Sequence, residues 1–247
     1  MIHDYNKYQL SRMENIKYLL QGLAGAVIIG VLFYQSIFGI LAAAPVIWFY
    51  RRGRIKRLLR ERKWKLNLEF KDGILALSAA LEAGYSAENS FEQAARDLHR
   101  LYGEASLIVR EFSYISNQIR MNITIERALH EFGERTGVED ILSFCEVFHT
   151  AKRTGGDLIH IIRNTSSVIS DKIEIKREIL TLITGKQLEA NIMKLMPLLI
   201  LIYLSFSSPG FLNPLYHNLF GTIIMTLFLA GYLGATLVID RIVDIEV

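Results

Sequence analysis

The sequence predicts an all-α membrane protein in which two transmembrane helical hairpins flank a cytoplasmic bundle of about six helices. Three observations carry this reading. Residues 18–50 and residues 195–239 contain no Asp, Glu, Lys or Arg, although 21% of the 247 residues are charged. A hydrocarbon core about 30 Å thick needs roughly 20 apolar residues of helix, so each stretch exceeds one ordinary span and can hold two. Lys and Arg gather on the flanks of both stretches, and none falls at the expected outer turns.

The first stretch breaks best at Tyr34-Gln35-Ser36, giving spans over 17–34 and 36–50. A single long tilted helix is the rival. Lys7, Arg12 and Lys17 precede the stretch and the run RRGRIKRLLRERKWK at 51–65 follows it. Basic flanks favour the cytoplasm, so both ends belong on one side and the chain crosses twice. The apolar part is too long for a secretory signal peptide, and a basic run follows it. The second stretch breaks at Ser207 to Pro214, where two prolines and a glycine mark a turn. Its spans are 188–206 and 219–239. Lys194 would snorkel to the interface, and Pro197 sits in the first turns of the third span.

The middle reads as helices, without clean period-two alternation. Breaks fall at Ala83-Gly84-Tyr85-Ser86, Tyr102-Gly103, Met121-Asn122, Thr136-Gly137 and Thr154-Gly155-Gly156. Ser86 and Asp157 are natural N-caps. Gly103, Gly137 and Gly155 suit the position after a helix end, and Gly84, Gly137, Gly155 and Gly156 are the candidate structural turns. Apolar residues recur at three and four: Ile141, Phe144, Val147, Phe148 and Ala151 in one helix, then Leu158, Ile161, Ile162, Thr165, Val168 and Ile169 in the next. The resulting division is a cytoplasmic N-terminal segment (1–16), hairpin 1 (17–50), a cytoplasmic helical domain (51–187), hairpin 2 (188–239) and a cytoplasmic tail (240–247).

Composition and motifs exclude several functions. A net charge of +3, with no recognition helix or interleaved aromatic motif, argues against nucleic acid. The single cysteine, Cys145, permits neither an internal disulfide nor a four-cysteine zinc site, and beside an apolar face it reads as buried and structural. Glu146 and His149 have the Glu-x-x-His spacing of di-iron bundles, but there is no second copy, so a surface polar pair is the better reading. Gly155-Gly156 lacks the Lys-Ser/Thr of a phosphate loop. No nucleophile, metal or cofactor set is recognisable, so an enzyme is not expected. The charge-free stretches 18–50 and 195–239 carry no Asp, Glu, Lys or Arg of the kind that lines transport pathways, which disfavours the alternative of a transporter or channel subunit. They do carry small residues at four-residue spacing: Gly22, Ala26 and Gly30, then Ala230 with Gly234 and Gly231 with Ala235. That spacing suits close helix packing, though such residues are common in membrane helices. The basic cluster Arg51, Arg52, Arg54, Lys56 and Arg57 is read first as a positive-inside anchor for anionic lipid, and second as a contact for an acidic partner.

Four stretches together resemble a known family: LSAALEAGYSAENSFEQAARDL at 77–98, IERALHEFGERTGVEDILSFCEVFHTAKRTGGDLIHII at 125–162, the charged helix DKIEIKREI at 171–179, and the ending RIVDIEV. In order, spacing and setting they resemble the type II secretion system F-domain proteins. Size and a single such domain resemble TadB or TadC of the tight-adherence (Flp) type IV pilus system. The choice between those two stays open, with the two hairpins and short tail leaning towards TadB. The resemblance implies a multi-pass platform protein of the inner membrane, with its termini and central domain cytoplasmic. It further implies coupling of a secretion ATPase to pilin assembly, with a second F-domain protein, pilin subunits and membrane lipid as partners and a homo- or hetero-oligomeric state. It implies no cofactor.

Overall fold

A computed structural model describes residues 5, 12–34, 44–154, 157–208, 210–216 and 218–243; for 12, 14, 44–54, 56 and 219 it describes the backbone alone. Among the described residues there are eight α-helices, one short 3-10 turn and no strand. The helices are α1 (Arg12–Tyr34), α2 (Ala44–Glu82), α3 (Ala87–Tyr102), α4 (Leu107–Arg120), α5 (Ile125–Thr136), α6 (Glu139–Thr154), α7 (Leu158–Ser207) and α8 (Leu219–Val243). They divide into unit 1, residues 1–9 and 56–175, and unit 2, residues 10–55 and 176–247.

Unit 1 is held by one core to which six helices contribute. Helix α2 presents Leu66, Phe70, Ile74, Leu77 and Leu81, a three-and-four repeat that keeps one face inward. Facing it are Phe91 and Leu98 of α3, Ile108, Phe112 and Ile115 of α4, and Leu129 and Phe132 of α5. Helix α6 adds Ile141, Phe144 and Phe148, and α7 adds Ile162, Ile169 and Ile173. Six phenylalanine rings run through this core in a continuous chain. Phe132 and Phe144 lie 6.0 and 5.5 Å from Phe70, and the chain goes on through Phe148 and Phe91 to Phe112 at 6.1 Å steps. Tilted and edge-on contacts of this kind add attraction beyond area burial.

The connections follow local chemistry. Ser86 caps α3 by accepting from the Asn89 N–H at 3.3 Å, and Asp157 caps α7 by accepting from the His160 N–H at 3.1 Å. Gly103 closes α3 with φ 71° and ψ 174°, outside the left-handed helical region expected for it. Asn122 has φ 63° in the turn after α4.

The apolar stripe of α6 lies as its spacing predicts, except that Val147 is 39% exposed. The stripe of α7 lies in large part as its spacing predicts. Ile162, Ser166, Ile169 and Ile173 face the core, while Val168 is 65% exposed. Of the expected stripe only Val168 turns fully outward, and the polar Ser166 takes an inward position.

Among the described residues, three helices are long and apolar enough to cross a membrane: α1 over 15–34, α7, which enters unit 2 at residue 176, and α8 over 220–243. The expected second span, 36–50, lies partly outside the described residues; its last part, 44–50, is the start of α2. The C-terminal end of α1 lies beside the connection between α7 and α8. There Phe33, Leu212, Tyr216 and Met225 are buried, with the half-buried Leu198, Leu201 and Leu204 packed against them, and the Tyr216 hydroxyl donates to the Leu32 carbonyl at 2.7 Å. At the other end of the α7–α8 pair, Lys194 does not snorkel alone. It forms an ion pair with Asp240, and its carbonyl accepts from the Tyr232 hydroxyl at 3.0 Å. Gly22, Ala26 and Gly30 are buried on α1, whereas Ala230, Gly231, Gly234 and Ala235 on α8 are exposed.

Candidate functional site

Unit 1 carries three acidic side chains inside its core-facing surface, each 5% exposed or less: Glu69, Glu111 and Asp140. A buried carboxylate is costly unless it is paired and hydrogen-bonded, and each of these is held by a partner from another helix. Glu69 of α2 accepts from the Ser106 hydroxyl at 2.8 Å and from the Ile108 N–H at 3.4 Å, so it meets the start of α4, where N–H groups lack helical partners. Glu111 of α4 accepts from Arg135 of α5 in a two-pronged pair, at 3.0 and 2.6 Å. Asp140, in the first turn of α6, accepts from Asn67 Nδ2 of α2 at 2.6 Å and from Lys172 Nζ of α7 at 2.5 Å.

The Asp140 node occupies a particular place in the chain. Helices α2 and α7 are the two that pass between units, at 55/56 and 175/176, and Asp140 grips both. Its hydrogen bond to Lys172 holds that ammonium above the ordinary lysine range, against the opposing effect of burial. Arg135 is partly buried, and its bonds to Glu111 outweigh that burial and keep its pKa raised. The Tyr102 hydroxyl donates to Asp72; burial first, then this bond, raises the phenol pKa. These bonds tie helices together, which is the chemistry of a stiff body.

Cys145 is buried, and its thiol donates to the Leu129 carbonyl at 3.1 Å. Burial pushes the thiol up to about 12, so it is no nucleophile at neutral pH. Glu146 and His149 are both exposed. Among the described residues no group of three or more His, Cys, Asp or Glu could hold a metal ion. A shallow, open hollow of about 350 Å³ lies between α6 and the start of α7, lined by Glu146, Val147, Thr150, Ala151, Thr154 and Ile161.

The turn glycines are placed as follows. Gly84 has φ 88° in the α2–α3 turn, and Gly137 has φ 56° and ψ 32° after α5. Gly137 is left-handed, a conformation that costs a residue with a Cβ about 1–2 kcal/mol. Gly155 and Gly156 lie outside the described residues. Of the basic cluster, Arg51, Arg52, Arg54 and Lys56 lie on α2, and their side chains lie outside what is described. Arg57 is exposed and pairs with Glu61 at 3.0 Å.

The buried carboxylates were missed by the sequence reading, because acidic residues are assigned to water by default. A signal was present. Glu69 falls on the same helical face as Leu66, Phe70 and Ile74, while Glu111 and Asp140 directly precede the core residues Phe112 and Ile141.

A model of the family described as type II secretion system (T2SS), protein F, matches residues 74–206. No curated protein and no solved structure matches the chain.

Proposed function

This chain belongs to the type II secretion system protein F family, whose members are structural inner-membrane platform proteins of secretion and pilus machines, and from that premise we propose that it couples a cytoplasmic secretion ATPase to pilin assembly. The observation that carries the reading is the extent of the match. It runs from Ile74, in the core of unit 1, to Phe206, near the apolar end of α7. It therefore takes in both a packed helical core and a helix able to cross a membrane.

The proposed coupling is mechanical. Unit 1 receives movement from the ATPase, and its buried ion pairs resist internal deformation. Helices α2 and α7 each pass from one unit to the other without an intervening loop. The asymmetry of Lys and Arg along the chain supports a topology with both termini and residues 51–187 in the cytoplasm. The Lys194–Asp240 pair at one end of α7–α8, and the Tyr216–Leu32 bond at the other, support placing both turns on the outer side. We further propose the tight-adherence branch, TadB or TadC, as its place within the family. A second F-domain protein, pilin subunits and anionic lipid at 51–57 complete the proposed set of partners.

Affinity capture of the chain from its native membranes should bring down a secretion ATPase and pilins, and the purified chain in liposomes should pass no solute. Solute flux without these partners would support a transporter or channel subunit instead. A reporter active only outside the membrane should be silent when fused after Lys65 and active at Asn213; the reverse pattern would overturn the topology.

A further inference from the structure

Within unit 1, helix α7 carries a second apolar row beside the one it gives to the core. Ile161, Val168 and Ile175 repeat every seven residues. Ile161 is half-buried, whereas Val168 and Ile175 are 65% and 57% exposed. Between and before them, on the same face, stand Asp157, Asn164 and Asp171, all exposed. Polar and apolar positions therefore alternate at steps of four and three, the spacing of a coiled-coil seam. Single exposed apolar side chains are ordinary, but a row in heptad register makes a strip. The head of the strip meets a hollow, for Ile161 lines the open space of about 350 Å³ together with Val147 and Glu146 of α6.

The charge around the strip selects what can cover it. Glu146, Asp157 and Asp171 border it, and among the described residues none of the three has an ion pair. Nearby cations are engaged elsewhere: Lys172 with Asp140 and Glu139, Arg163 with Glu82, and Lys152 with Glu126. Lipid does not suit the strip, because Asp157, Arg163, Asp171 and Glu174 are exposed on the same stretch of helix and a bilayer core excludes such charge. The α7 of a second copy does not suit it either. Chains inserted alike in one membrane run parallel, which would set Asp157 against Asp157 and Asp171 against Asp171, and facing like charges repel. The complement is a helix with apolar residues in heptad register and Lys or Arg between them.

We propose that the outward strip of α7, with the hollow at its head, is a docking surface for a basic amphipathic helix of a partner protein. The partner's apolar residues lie on Ile161, Val168 and Ile175, and its cations face Asp171 and Glu146. The apolar row supplies affinity by leaving water, while the carboxylates set the register of the helix and speed its encounter. The surface asks only that a partner present such a helix, so the proposal stands independently of the ATPase coupling.

The test uses the full-length chain in detergent, with binding to empty micelles as the baseline. The probe is a synthetic helix of about three heptads with Leu at every a position and Lys at every d, carrying a fluorophore and read by anisotropy. Its lysines keep it from pairing with itself. It should bind, and the same peptide with Glu in place of Lys should bind about tenfold more weakly, as two pairs change from attraction to repulsion. In a chain carrying Glu146→Lys and Asp171→Lys the preference should reverse, the Glu peptide becoming the tighter by about tenfold. Val168→Ser with Ile175→Ser should weaken the Lys peptide at least about tenfold through lost apolar contact, with an unchanged circular dichroism spectrum. Equal binding of the two peptides, or a preference that survives charge reversal, would overturn the basic partner. Binding unchanged by the serine pair would overturn the strip. Failure of either double variant to fold would overturn it too, because the face would then belong to the protein's own packing. A Val168→Cys chain that joins quantitatively to a second copy on mild oxidation would show a self-interface instead.

Discussion

Replacing Asp140 should loosen unit 1 by an amount that depends on which of its two partners is left behind. Asp140→Asn keeps the size of the side chain and an oxygen for Asn67. It removes the charge facing Lys172 and a negative charge in the first turn of α6. Lys172 is 39% exposed and can rehydrate, so the loss is that of a partly screened pair plus a helix-terminus effect, about 1–2 kcal/mol. Asp140→Ala also strands the Asn67 amide, which is 4% exposed and whose Oδ1 already has no partner. An orphaned buried donor adds about 1–3 kcal/mol.

The protein contains its own probe for this difference. Cys145 is the single cysteine. It is 7% exposed, and it can react only when unit 1 opens. With each 1.4 kcal/mol worth about tenfold, thiol labelling of the full chain in detergent should be about tenfold faster for Asp140→Asn. For Asp140→Ala it should be at least about thirtyfold faster. Labelling of Asp140→Ala within twofold of the unmodified chain would show that the node holds nothing together.

Further expectations follow from other sites. Gly137→Ala forces a Cβ into a left-handed position and should speed Cys145 labelling by about tenfold, from a cost of about 1–2 kcal/mol. Gly221→Ala would set a Cβ 2.5 Å from the Leu215 carbonyl oxygen; it should lower the thermal midpoint of the detergent-solubilised protein, while Gly231→Ala, with nothing within 4 Å, should leave it unchanged. Burial works against the charge of Glu126, but hydrogen bonds from its own backbone N–H and from Lys152 outweigh it, so its carboxyl titrates below the ordinary value. Because its folded pKa is depressed, its stabilisation is present above the unfolded carboxylate range, near pH 4.3, and is lost as pH falls through the folded value. Labelling should therefore accelerate less on acidification in Glu126→Gln than in the unmodified chain.

What could be read from the sequence was what depends on neighbours in the chain. Ser86, Asp157 and Gly137 act on backbone within a few residues, so their roles were visible in the order of letters. The inward face of α6 was visible because Ile141, Phe144, Phe148 and Ala151 stand between polar positions. The face of α7 was legible in part: Ile162 and Ile169 lie inward as expected, but Val168 is 65% exposed and the polar Ser166 is buried. The polar nodes depend on distant pairings. Tyr5 and Glu111 are 106 positions apart, and Asn67 and Asp140 are 73 apart. No local pattern joins them, and a carboxylate read singly is placed in water. Lys194 was expected to reach the interface by itself because Asp240, its partner, lies 46 positions away on another helix.

The most direct test of the coupling role asks whether unit 1 touches the ATPase in the membrane. A photo-crosslinking residue would be placed at Leu101, Met121 or Val168, which are 65%, 67% and 65% exposed, in cells assembling filaments. The expected result is an adduct with a secretion ATPase from at least one of the three, lost when the ATPase gene is removed. Normal filaments with no ATPase adduct from any exposed position on unit 1 would contradict it.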